Sequence, residues 1–412
     1  METERHGYHH PRYAPGGPGH PPGPPPDPRE RPAAGPGDRA AGGPGEDRGD
    51  GFDPLAVLVA ADLLDEPAAP AVRRVDDISR SHRVHRVVLR DGRAYVVKRL
   101  GGPAREPGRE LDAELYVYRM ASWLPGVSAA VPEPVMIDEL GQVLVLPAAP
   151  PHQVFPACLG SRRLPPPVAA GALGRAAAGW HHATEGIHLP RPASRGPLGL
   201  PRTPPSAWLV GGAAARALAL GVVAAPDLGA ALEEGARLWA PRCLVHADLM
   251  WDNCLVDAAA PPRVRVIDWE LSGYGDPAWD VGCVVAEQVS LAVRAQEHAL
   301  RSRDPRARQS GPTADILADR PRLLGGLPAA AAPAVAAFAA GYAAALPARP
   351  EPDFWYRAVL YAVARLVYFA IGGARWEDAE DCPFAVAHLS AARQLHTTRI
   401  RTADALRRKA TR

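Results

Sequence analysis

His246, Asp248 and Asn253 stand in an H-x-D-x-x-x-x-N pattern, and Asp268 follows fifteen residues after Asn253, at the end of an apolar run that reads as a strand. A loop carboxylate such as Asp248 can accept the hydrogen bond, and later the proton, of a hydroxyl group. The amide oxygen of Asn253 and the carboxylate of Asp268 are hard oxygen donors that suit Mg2+ and leave coordination positions for phosphate and water. Asp and Asn are also common turn residues, so the plain alternative is a hairpin corner at Asp252-Asn253 and a strand-end cap at Asp268. Against it stands the continuation, Ile267-Asp268-Trp269-Glu270 and then Gly275-Asp276-Pro277-Ala278-Trp279-Asp280. His246, two residues before Asp248, reads as a loop organiser that ties backbone groups.

These residues need elements to hold them. Asp276 followed by Pro277 is an N-cap and first helical position, which predicts a helix from Pro277 through about Val293. Upstream, Val84 and Val87 to Leu89, then Asp91-Gly92, then Tyr95-Val96-Val97-Lys98 read as a β-hairpin. Lys98 therefore ends the second strand; it is either a cation for phosphates or an edge-strand lysine reaching solvent. Arg109 to Leu124 reads as the next helix, with Leu111, Leu115, Tyr118 and Leu124 as apolar contacts and Glu110 and Glu114 as candidate partners for Lys98.

The set H-x-D-L-x-x-x-N, Ile-Asp-Trp-Glu and Gly-Asp-Pro-x-x-Asp resembles the aminoglycoside phosphotransferase and choline kinase family, which shares the protein-kinase-like fold. The resemblance covers Asp76 to Asp280 best. It implies ATP and Mg2+ as cofactors, Asp248 as the catalytic base, Asn253 and Asp268 as metal ligands, and Lys98 on the α- and β-phosphates. It favours Glu114 over Glu110 as the partner of Lys98. It puts a phosphate-covering loop at Ile78 to Arg83, with Ser79 and Ser81 as nucleotide-binding residues, although this loop has no glycine and departs from the G-x-G-x-x-G of protein kinases. It further implies an adenine-binding hinge near Leu146 to Pro150 and a supporting role for Asp280 behind the catalytic loop. The helix Val168 to Ala183, with Trp180, His181 and His182, would support that loop too, its histidines packing or capping.

Composition narrows the class. The 412 residues suit two lobes, and 47% hydrophobic content allows a sizeable core. A formal charge of +2, with acids and bases interleaved, argues against nucleic-acid and membrane surfaces as partners. Five scattered cysteines without C-x-x-C suit reduced thiols in a cytoplasm and no zinc site. Residues 1–50 hold twelve Pro and eleven Gly but no Val, Ile or Leu, a composition expected to stay disordered; His6, His9, His10 and His20 there are not read as a metal site. No apolar signal core opens the chain, so no export is expected. The most apolar stretch, Ala358 to Ile371, is short for a bilayer and contains Arg365, so it reads as a core helix.

The expected architecture is α+β and protein-kinase-like: a disordered tail at 1–51, a small antiparallel sheet lobe at 52–146 and a larger, mainly helical lobe at 147–412. A helix is expected near Phe52 to Leu64. After Asp280, helices are expected near Val281 to Leu300, Ala329 to Ala345, Asp353 to Ile371 and Ala385 to Leu395, forming the acceptor region. The expected reaction moves the γ-phosphate of ATP to a hydroxyl of a small molecule or natural product. One rival is a Ser/Thr kinase for a ribosomally made peptide, which would need a separate lyase as partner; the other is a pseudokinase without turnover. From Glu270 to Arg412 there are fifteen acidic and eighteen basic residues, a formal +3, which suits a polycationic aminoglycoside poorly and a neutral or acidic hydroxyl compound better.

Overall fold

Five strands, β1 (Val72–Asp77), β2 (Arg83–Leu89), β3 (Ala94–Arg99), β4 (Met136–Asp138) and β5 (Val143–Pro147), form an antiparallel sheet in the order β1-β2-β3-β5-β4. In this computed structural model the described residues are 52–79, 82–100, 112–149, 165–202, 212–257, 259–303, 327–373 and 383–411. The expected tail at 1–51 lies outside them, as do Ser81, Glu110, Leu111 and Pro150. Asp91-Gly92 makes the turn between β2 and β3, and Gly92 takes φ +92°, a left-handed backbone that costs glycine nothing. Side chains alternate across a strand, so Tyr95 and Val97 join a core with Leu58, Val87, Leu89 and Val145, while Val96 and Lys98 take the opposite face. On that face lies the helix Ala113–Ala121, capped by Asp112, whose carboxylate accepts the Glu114 backbone N–H at 2.9 Å. An earlier helix, Pro54–Ala60, packs Leu58 under the sheet.

The large lobe is mainly helical. Helices Pro167–Ala183 and Ala332–Ala345 approach so closely that a Cβ on Gly174 or Gly341 would overlap the facing backbone. Four short strands, β6 (Cys243–Val245), β7 (Cys254–Val256), β8 (Val264–Val266) and β9 (Gly273–Gly275), pair antiparallel as β6 with β9 and β7 with β8. They frame the loops that carry Asp248 and Asp268. The expected segments Pro277 to Val293 and Val281 to Leu300 form one helix, Pro277–Arg303, since no Gly or Pro interrupts it between Val293 and Pro305. Against it packs Phe354–Gly373, the one helix among the described residues long and apolar enough to cross a membrane, with 83% of its most apolar window buried inside the protein. It is a core helix. Two helices with no counterpart in the sequence expectation, Gly212–Ala224 and Pro226–Arg237, lie before β6, and Pro383–Thr397 and Arg399–Ala410 end the described chain.

Candidate active site

The alternation of β3 and the cap of the following helix bring Lys98 and Glu114 together. Lys98 Nζ lies 2.5 Å from Glu114 Oε2 and 2.6 Å from Asp268 Oδ1, so one ammonium ties the sheet, the helix and the Asp268 loop. Burial by itself would lower the Lys98 pKa, but the Glu114 and Asp268 carboxylates outweigh it and hold the ammonium above its ordinary range. Glu114 is 1% exposed, whereas the Asp268 side chain is 41% exposed and gives Lys98 only one oxygen. Asp268 also takes φ +65°, an uncommon backbone for a non-glycine residue, right after β8 and Ile267. Glu114 holds the contact with Lys98; the other candidate, Glu110, lies outside the described residues.

The Asp248 loop is fastened from three sides. Behind it, the Asp280 carboxylate accepts the backbone N–H groups of His246 at 2.8 Å and Ala247 at 2.9 Å and meets His181 Nε2 at 3.0 Å. Tyr342 closes that row through its hydroxyl, 2.9 Å from His181 Nδ1. Above it, the His246 ring bridges two loops: its Nε2 donates to the Ile267 carbonyl at 3.0 Å, and its Nδ1 accepts the Asp248 N–H at 3.2 Å. Burial pushes the His246 pKa down, which keeps the ring neutral and able to do both. Within the loop, Asn253 Nδ2 donates to the Asp248 carbonyl at 3.0 Å, and the Ile267 N–H donates to the Asn253 carbonyl at 2.9 Å. The roles expected of His246 and Asp280 as organisers match these contacts.

Three side chains of the Phe354–Gly373 helix, spaced i, i+4 and i+8, reach the same region. Arg357 donates to Asp276 Oδ2 at 2.9 Å, the Tyr361 hydroxyl donates to the same oxygen at 2.8 Å, and Arg365 ion-pairs with Asp248 Oδ1. In the sequence Arg365 stands out only as a charge inside an apolar helix, and its helical spacing with Arg357 and Tyr361 is the one signal of a shared role. Arg365 lies under the rings of Tyr368 and Phe369, 4.6 and 4.9 Å from their centroids. Burial lowers its pKa to about 10, still a cation at neutral pH.

The phosphate-loop expectation has a mixed geometry. Ser79 Oγ accepts the Val84 N–H at 2.8 Å, and the Ser79 N–H donates to Asp77 Oδ1 at 2.9 Å, so the Ser79 side chain closes its own loop. His82, which the sequence did not single out, crosses from this loop to Glu270 at 2.6 Å, and that hydrogen bond raises its pKa. The hinge segment continues the sheet, with the Ala148 N–H donating to the Ala94 carbonyl at 2.8 Å.

A model of the phosphotransferase enzyme family, APH, matches residues 74–324, more than half of the chain. The chain belongs to this family of phosphotransferase enzymes. Comparison with curated proteins returns no match. Similar solved structures include a choline kinase, LicA, from Streptococcus pneumoniae, with 12% identity, coverage of 83% of this chain and 99% of that one, and a TM-score of 0.46. An ethanolamine kinase from Plasmodium vivax shares 11% identity over 82% of this chain and 86% of that one, with a TM-score of 0.47. A macrolide 2′-phosphotransferase from Brachybacterium faecium shares 20% identity over 81% and 96%, with a TM-score of 0.42.

Proposed function

We propose that the protein transfers the γ-phosphate of ATP, with Mg2+, to a hydroxyl group of a small molecule. The observation that carries this reading is the clasp of Lys98 between Glu114 and Asp268, 2.5 and 2.6 Å away, in front of a loop that presents Asp248 and Asn253. Lys98, steadied by Glu114, holds the α- and β-phosphates, and Ser79, whose Oγ accepts the Val84 N–H, borders the segment read as covering them. The oxygens fit Mg2+: Asn253 spends its Nδ2 on the Asp248 carbonyl, which leaves its amide oxygen as donor, and Asp268 offers a half-open carboxylate with one oxygen not on Lys98. When bound, Mg2+ neutralises phosphate charge between these two ligands. Asp248, fixed through its backbone by Asp280 and His246, aligns the acceptor hydroxyl and takes its proton.

An ATP-consumption assay with Mg2+ across aminoglycosides, small hydroxyl compounds and Ser/Thr peptides tests the reading. Phosphorylation of a small hydroxyl compound is the expected result. Turnover confined to peptides would replace it with the peptide-kinase reading, and absence of MgATP binding would remove it.

A further inference from the structure

We infer that Arg365 selects the acceptor, and that the acceptor carries an anionic group, a carboxylate or a phosphate, close to the hydroxyl that is phosphorylated. The inference rests on the phosphotransferase reading above, with Asp248 as the base. Arg365 is a buried cation, 4% exposed, whose ion-pair partner among the described residues is Asp248 alone. Its Nε is buried and has no hydrogen-bond partner among the described residues. A guanidinium is a planar fork built to grip two oxygens at once, and a buried donor left unmade is costly. The Tyr368 and Phe369 rings keep its face dry but offer it no counter-charge.

The chemistry sharpens the point. As the acceptor oxygen bonds to the γ-phosphorus, the bond to the bridging oxygen breaks and ADP leaves with that electron pair, while the hydroxyl proton passes to Asp248. Once protonated, Asp248 no longer balances Arg365, and an uncompensated buried charge is strongly unfavourable. An anion on the acceptor keeps Arg365 paired through the transfer. A cationic acceptor would instead set a second positive charge beside Arg365 at the moment its counter-ion disappears. Arg365 thus works as positive selection for anions and as repulsion against cations.

The test uses the full chain with MgATP and matched acceptors: 4-hydroxybutyrate against 4-hydroxybutyramide, glycerol 1-phosphate against glycerol, N-acetylserine against N-acetylserinamide, with choline and kanamycin as cations. In the wild type, kcat/KM should favour the anionic member of at least one pair by roughly tenfold or more, carried mainly by KM. The 4-hydroxybutyrate and glycerol 1-phosphate arms separate carboxylate from phosphate. In Arg365→Gln the ratio within that pair should fall to about one, whereas Arg365→Lys should keep part of it. Reading the ratio inside one variant cancels any general loss from a displaced Asp248. Turnover of the neutral or cationic compounds without preference for their anionic partners overturns the inference, and so does a preference intact in Arg365→Gln. If MgATP fails to bind the wild type, the underlying phosphotransferase reading falls; if MgATP binds and kanamycin or choline is the preferred acceptor, only this inference falls.

Discussion

Lys98 and Arg365 are both buried cations beside the candidate site, yet Lys98 is met by two carboxylates and Arg365 by one. The first arrangement is closed: Glu114 and Asp268 surround the ammonium and lift its pKa in spite of burial. The second is open: among the described residues Arg365 has a single carboxylate, two aromatic faces and an Nε without a partner. A closed pair suits a part that must stay put in every catalytic cycle, such as the anchor of a nucleotide. An open one suits a part that changes partners as charge moves.

Breaking the closed pair should have the largest effect. Lys98→Met leaves Glu114, 1% exposed, without a cation, and should lower unfolding free energy by about 3 kcal/mol in urea titrations, along with about a hundredfold or greater loss of phosphoryl transfer. Adding Glu114→Gln should recover most of the stability and none of the activity. A stability loss well under about 1 kcal/mol for the single variant would show that the pair is not closed in the sense proposed.

The open cation can be displaced without touching it. Gly282 sits where the Pro277–Arg303 helix meets the Phe354–Gly373 helix, and a Cβ there would fall 2.7 Å from the Tyr361 Cβ and 2.8 Å from the Ala358 carbonyl. Gly282→Val should push the helix bearing Arg365 outward, costing about 1–3 kcal/mol in thermal unfolding and lowering turnover while MgATP affinity stays near wild type. Equal losses of nucleotide affinity and turnover would mean that the two cations are not independent.

A smaller effect comes from pH. His388 packs edge-on against Phe369, one of the rings over Arg365, and its Nδ1 donates to the Phe384 carbonyl while Nε2 accepts from the Ser290 hydroxyl. Burial lowers its pKa to about 4 from an unfolded value of 6.5. Between those values the unfolded chain binds the extra proton, so the contribution is complete above pH 6.5 and is lost as pH falls toward 4. At pH 5.5 the loss should reach about 1 kcal/mol, measurable by urea titration, and His388→Gln should flatten that slope. An unchanged slope in the variant would assign the acid sensitivity elsewhere.

The contrast also explains what the amino-acid sequence could reveal. Lys98, Asp248, Asn253 and Asp268 lie in short motifs whose residue types announce the chemistry, and the hairpin at Asp91-Gly92 sets the face on which Lys98 appears. Glu114 needed the family resemblance to be preferred over Glu110. The role of Asp280 as a loop support likewise came from the family resemblance, and the His246 and Ala247 N–H groups are what its carboxylate holds. For Arg365 the only local signal is its helical spacing with Arg357 and Tyr361, and its partner Asp248 lies 117 positions away. Ser79 illustrates the opposite case: its side chain type suggested phosphate, while the fold ties its Oγ to the Val84 N–H. His82 reaches Glu270 at 2.6 Å although the two stand 188 positions apart in the chain.

Asp248→Asn tests the central claim most directly, because it keeps the size of the side chain while removing the charge that takes the proton. MgATP affinity, measured by calorimetry, should stay within about threefold of wild type, and phosphoryl transfer to the best hydroxyl acceptor should fall by about a thousandfold. Transfer retained within about tenfold of wild type would contradict the account and remove Asp248 from the chemistry.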